Sequence, residues 1–96
     1  MTINFNVNER KLNIALEGRL DTITAPELER FLAERYNDIN FLTIDCEKLT
    51  YVSSAGLRIL LTAQKKTKGA MKLQNVNELV MEVFEMTGFA DVLVIE

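Results

Sequence analysis

The spacing of apolar residues switches repeatedly between two periods along this chain, and that switching leaves few folds open. Ile3, Phe5 and Val7 alternate with polar residues, and so do Leu12, Ile14 and Leu16 beyond the polar break Asn8-Glu9-Arg10-Lys11. Alternation marks a half-buried strand, so residues 3–7 and 11–17 are expected to pair as an antiparallel hairpin, with Gly18 and Asp21 at its exit. Thr24-Ala25-Pro26-Glu27 then opens a helix: Thr24 is placed to cap it, Pro26 needs no donor in the first turn, and Glu27 completes a capping box. Leu28, Phe31, Leu32 and Tyr36 follow at helical spacing. Phe41–Cys46 is nearly continuous in apolar character and reads as a central strand covered on both faces. Leu57, Leu60, Leu61 and Gln64 trace the stripe of a second helix that runs to Lys68, with Gly69 as its C′ residue. Met71 and Leu73 belong to a fourth strand. Asn77 caps a third helix with Val80, Val83, Phe84 and Thr87 on one face, ended by Gly88. Val92-Leu93-Val94-Ile95 is expected to close the chain as a fifth strand. Strands alternating with helices after an initial hairpin imply an α/β fold on a mixed sheet.

Composition excludes several function classes. The chain of 96 residues suffices for one domain. Its formal net charge of −3 argues against nucleic-acid binding through a basic field. The one basic cluster, Lys65, Lys66 and Lys68, lies at an expected helix end, where cations complement the dipole. No stretch approaches the ~20 apolar residues of a membrane span, and no signal peptide is visible. Cys46 has no internal disulfide partner, its apolar run predicts a buried thiol, and a reducing compartment fits. The chain has no histidine. A Ser-His-Asp site is therefore impossible, and a zinc site would depend on one Cys and carboxylates. Lys65 and Lys66 lie roughly 15 Å by helical rise from the serines that open the second helix, too far to activate either hydroxyl. Neither catalysis nor a cofactor is expected.

The chemistry concentrates in Tyr51-Val52-Ser53-Ser54-Ala55-Gly56-Leu57-Arg58. Two adjacent hydroxyls stand where an extended segment gives way to a helical pattern. A helix start has free backbone N–H groups and the positive end of the helix dipole, which favour a phosphate there. Either Ser53 or Ser54 can serve as the N-cap, and a capping hydroxyl can still be modified. Ala55 and Gly56 keep the loop open, or else pack closely at the helix start. Arg58 lies one turn on, where it meets solvent, a partner acid or a phosphate.

Three segments resemble the STAS domain family, the anti-sigma factor antagonists of bacteria. Gly18-Arg19-Leu20-Asp21 before Thr24-Ala25-Pro26-Glu27 is similar to the family's Gly-x-Leu-Asp segment. Leu49-Thr50-Tyr51-Val52-Ser53-Ser54-Ala55-Gly56-Leu57 is similar to its Asp-Ser-(Ser/Thr/Ala)-Gly-Leu loop and helix start. Val83-Phe84-Glu85-Met86-Thr87-Gly88-Phe89 is similar to its Leu-Phe-x-x-(Ser/Thr)-Gly-Leu. The resemblance implies one STAS-type domain over residues 1–96, a mixed sheet in the order β-β-α-β-α-β-α-β and helices mainly on one face. It implies a cytoplasmic, non-enzymatic regulator that works by partner switching. Such a protein binds an ATP-dependent anti-sigma factor serine kinase, is released when a loop serine is phosphorylated, and is reset by a serine phosphatase. By position the acceptor is Ser54, with Ser53 as the alternative. Partner contacts fall on Asp21, Thr22, Ser53, Ser54, Ala55, Gly56, Leu57 and Arg58. Two departures stand out. Ser53 occupies the place of the family's Asp, and no terminal helix follows the last expected strand, which leaves homodimerisation open. The resemblance also admits a second role, as an accessory subunit of an ABC-type lipid transporter.

Overall fold

The computed structural model describes residues 1–96, and the expected hairpin opens it. β1 (Thr2–Asn8) and β2 (Lys11–Leu20) pair antiparallel with Phe5 opposite Ile14. Glu9 and Arg10 form the turn, both at positive φ (51° and 67°). Two successive left-handed residues give a connection whose twist matches the flanking strands. The chain then crosses through α1 (Ala25–Ala33) to β3 (Phe41–Val52), and through α2 (Ser54–Lys66) to β4 (Met71–Gln74). β2, β3 and β4 are parallel, and the sheet order is β1-β2-β3-β4. α3 (Glu78–Thr87) follows β4.

Alternation places the core. Leu12, Ile14 and Leu16 of β2, Leu42, Ile44 and Cys46 of β3, and Met71 and Leu73 of β4 are buried on one face. Leu28 and Leu32 of α1, Leu57 and Leu60 of α2, and Val80 and Phe84 of α3 pack against them. Burying each such side chain is worth roughly 1.5–3 kcal/mol. Burial pushes the Cys46 thiol up to about 12, so it is a packing group and not a nucleophile at neutral pH. The other face of the sheet carries no helix. There Asn4, Asn6, Asn13, Thr43, Asp45 and Gln74 line an open polar depression. Phe41–Cys46 is thus covered on one face, not two.

β3 also outruns its apolar stretch. Ala15 pairs with Asp45 but Glu17 with Lys48, so the register shifts at a bulge around Cys46-Glu47 and the strand resumes to Val52. Asn77 holds that bulge. Its Nδ2 donates to the carbonyls of Leu49 (2.7 Å), Cys46 (3.2 Å) and Glu47 (3.4 Å), while its Oδ1 caps α3 by accepting from the Val80 N–H (3.0 Å). Losing both functions removes the donor to part-buried carbonyls as well as a cap, so Asn77→Ala should cost about 2 kcal/mol and lower Tm by about 10 °C. Asn77→Asp keeps a good capping acceptor but loses the donor. If the bulge contacts matter, thermal denaturation will show Asp clearly below the parent; a cap alone would leave Asp at the parent Tm.

The fifth strand is the main correction. Gly88 ends α3 at φ 81°, and Phe89–Asp91 winds a 3₁₀ turn whose Phe89 carbonyl accepts from Val92 and Leu93. Only the last residues reach the sheet, and they meet a four-residue β4. One parallel bridge, Leu73 to Ile95, remains, closed by Leu73 N–H to the Val94 carbonyl and Glu96 N–H to the Leu73 carbonyl. Two helix boundaries also move. α1 stops at Ala33 and Tyr36 joins a separate 3₁₀ turn, while α2 stops at Lys66 and Lys68 takes the left-handed C′ position (φ 57°) that Gly69 was expected to fill.

Candidate functional site

The carboxyl ends of β2 and β3 form one rim, the edge of a parallel sheet where ligands and partners commonly meet a fold of this kind. The Ser53 N–H donates to the Leu20 carbonyl (2.9 Å), which ties the start of α2 to the end of β2. Gly56 completes that join. It is buried, and a Cβ there would lie 2.7 Å from Leu20 Cγ and 2.9 Å from the Leu20 carbonyl oxygen. The absence of a side chain lets α2 seat against β2. Gly56 offers a partner no surface, and Leu57 is 4% exposed.

The two serines separate in role. Ser53 is the N-cap: its backbone is extended (ψ 175°) and its Oγ accepts from the Gly56 N–H at 3.3 Å. Ser54 is the first helical residue, exposed, with no hydrogen bond to its hydroxyl within the chain. No general base touches it. α1 has Glu27 and α3 has Glu78 in the first turn, but α2 has no acidic residue there, so its dipole end is uncompensated.

Asp21 has a structural task on the same rim. Its Oδ1 accepts from the N–H groups of Ile23 (3.0 Å) and Thr24 (3.1 Å), while the Thr24 hydroxyl accepts from the Asp21 N–H (2.9 Å). This is a reciprocal capping box one turn ahead of the expected one. Thr24 therefore makes no side-chain cap to α1, and the Thr24–Glu27 box does not form. The reason is that Thr22–Thr24 already turn helically, with the Asp21 carbonyl accepting from the Ala25 N–H (2.8 Å). Hydrogen bonding to the Thr24 N–H above all, and also to the Ile23 N–H, the Thr24 hydroxyl and Arg19, holds the Asp21 carboxyl below its ordinary 3.8. A depressed folded value means stability present above pH 3.8 that is lost as pH falls through the lower value. A carboxyl-detected NMR titration should find Asp21 below 3.8. Thr24→Val keeps the backbone N–H and removes only the hydroxyl bond, so it should move the value up part of the way, and an unmoved value would remove the hydroxyl as a contributor.

Around these residues the surface is mixed. Thr22 is exposed, and Ile23 is 86% exposed although apolar. Arg19 lies over the Tyr51 ring (4.3 Å to its centroid) and 3.4 Å from Asp21 Oδ2. On the far side of Ser54, a shallow groove of about 310 Å³ runs between α2 and the end of α3, lined by Ser54, Leu57, Arg58, Leu61, Thr87 and Phe89. Leu61, Thr87, Phe89 and Ile23 carried no site expectation. Thr87-Gly88-Phe89 belongs to a segment that supports the family resemblance, which was the one available signal. No cluster of three or more His, Cys, Asp or Glu side chains is placed to hold a metal, and no helix is long and apolar enough to cross a membrane.

The structure is thus a four-stranded mixed sheet with helices on one face and a serine-capped α2 at its rim. The STAS domain model matches residues 2–96, and the chain belongs to the STAS domain family. The anti-sigma-B factor antagonist of Bacillus subtilis is 30% identical over 98 aligned positions, covering 97% of this chain and 90% of that protein. Among solved structures, the anti-sigma factor antagonist SpoIIAA in its unphosphorylated form superposes with a TM-score of 0.83 at 17% identity, over 99% of this chain and 88% of the other. The Bacillus cell fate determinant SpoIIAA in the phosphorylated form gives 0.76 at 16% identity, over 99% and 91%. At those identities the two structures establish the fold. The relatives' names describe antagonists, which are regulatory binding proteins rather than enzymes.

Proposed function

We propose that this chain is an anti-sigma factor antagonist that binds an anti-sigma factor serine kinase through the Ser54 rim and is released when Ser54 is phosphorylated. The observation that carries the reading is the division between the two serines. Ser53 is committed to capping α2, whereas the Ser54 hydroxyl is exposed and unbonded. The kinase transfers the γ-phosphoryl of ATP to Ser54 Oγ, which loses its proton, and ADP leaves. A serine phosphatase hydrolyses the ester and restores the hydroxyl. Thr22, Ser54, Ala55 and Arg58 supply surface contacts, while Asp21, Ser53 and Gly56 hold the rim in shape. The B. subtilis relative named as an anti-sigma-B factor antagonist supports the partner class, and the phosphorylated SpoIIAA structure supports a phosphoryl switch.

A phosphoryl group adds about −1.5 to −2 charges at neutral pH. At the first turn of α2 that charge is tolerated or mildly stabilising, by a few tenths to ~1 kcal/mol. The domain need not unfold. The cost falls at the interface, where a dianion replaces a small hydroxyl against a surface shaped for the latter. Incubation with the purified cognate anti-sigma kinase and ATP, followed by tandem mass spectrometry, should place one phosphoryl group on Ser54. Phosphate on Ser53, or none, would reject the assignment.

A further inference from the structure

We propose that Arg58 is the internal counter-ion of Ser54 once Ser54 is phosphorylated, an inference that rests on the reading of Ser54 as the modified residue. Ser54 and Arg58 are four residues apart on α2, so they share a helix face. Both line the groove between α2 and the end of α3. Arg58 is exposed, and its guanidinium makes no hydrogen bond or ion pair within the chain. The other rim arginine is engaged: Arg19 stacks on Tyr51 and pairs with Asp21. Farther off, Arg35 packs on Phe31 (3.7 Å) and donates to its carbonyl.

Competition for the Arg58 guanidinium is absent from the groove. Its other lining residues are Leu57, Leu61, Thr87 and Phe89, none of them charged. Asp21, the carboxylate of the β2 end, is already bonded to Ile23, Thr24 and Arg19. A guanidinium is a planar fork that meets two phosphate oxygens at once, and its charge persists at any working pH. The phosphate therefore captures Arg58 along the helix. Phosphorylation then changes the rim twice. It adds an anion, and it turns a free cation inward along α2, where it is no longer available to an acidic group on the partner.

The test uses the intact chain with phosphoserine installed at position 54 by genetic encoding, so that no kinase is needed. Phosphorus NMR follows the second ionisation of the phosphate, ordinarily near pH ~6. Pairing with Arg58 favours the dianion. Arg58→Gln should raise that midpoint by roughly 0.3–1 unit, in the range of surface to charge-assisted pairs, with Arg58→Lys in between. Arg30→Gln, which removes an exposed and unpaired cation of α1, makes the same change in net charge and should leave the midpoint in place. Equal midpoints for the parent and Arg58→Gln, or an equal shift from Arg30→Gln, would overturn the proposal. A purely structural role for Arg58 would move the melting curve and not this titration. Failure of a kinase to label Ser54 would instead remove the functional reading while leaving the NMR result intact.

Discussion

Ser54→Asp is expected to weaken binding to the anti-sigma kinase at least ~100-fold, while Ser54→Ala stays within about threefold of the parent. The asymmetry follows from geometry. The Ser54 hydroxyl makes no bond within the chain, so removing it leaves nothing orphaned in the free domain. Adding a carboxylate places a charge on a surface that must be dehydrated for a partner to bind. Desolvating one ion costs several kcal/mol, and each 1.4 kcal/mol is about tenfold in affinity. Two decades are therefore within reach of one side chain. The same carboxylate sits in the uncompensated first turn of α2, where it should raise stability slightly, by ~0.3–1 kcal/mol. Affinity and stability thus move in opposite directions, which separates an interface effect from damage to the fold. Calorimetric titration against the purified kinase, paired with a melting curve, reads both. A Ser54→Asp chain that binds like the parent would show that this hydroxyl lies outside the interface.

Gly56→Val is expected to destabilise the domain by ~3 kcal/mol or more, and Gly56→Ala by ~1–3 kcal/mol. In an open helix position Gly→Ala would instead stabilise, by up to about 1 kcal/mol. The sign of the Ala result therefore decides whether the close approach exists. One of the atoms facing the new Cβ is the Leu20 carbonyl oxygen, part of the backbone that bonds to the Ser53 N–H, so it cannot swing away. The neighbouring Leu20 side chain is fully buried in the core. With about 4–8 °C per kcal/mol for a domain of this size, the Val variant should melt 12 °C or more below the parent. A Gly56→Ala chain that melts higher would show that α2 is not seated on β2 as described, and the position of Ser54 on the rim would lose its basis.

Much of the fold was legible because periodicity survives in short windows. The hairpin, the three helices and the central strand each carry a run of correctly spaced apolar residues. The misreadings have physical causes. Glu47-Lys48 interrupts the apolar run of β3, but the interruption is a bulge fastened by Asn77 from 28 or more residues away, which no local pattern reveals. Val92–Ile95 has strand propensity, yet the turn after Gly88 carries the chain on to Val92, and only Ile95 pairs with the sheet. Pro26 drew the start of α1 to Thr24, whereas the Asp21–Thr24 box closes one turn earlier.

The candidate site divides in the same way. Ser53, Ser54 and Asp21 announce themselves by residue type at the end of a strand. Which serine caps and which is exposed depends on backbone angles that the sequence does not print. The groove partners Leu61, Thr87 and Phe89 meet Ser54 only after α3 has packed beside α2, so sequence neighbourhood alone could not gather them.

Native mass spectrometry of a mixture of this chain, its purified anti-sigma kinase and ATP bears on the switch itself. The complex should disappear in step with the gain of one phosphoryl group on Ser54, and the released chain should remain folded. A complex that persists with the phosphorylated chain bound would contradict the proposed release.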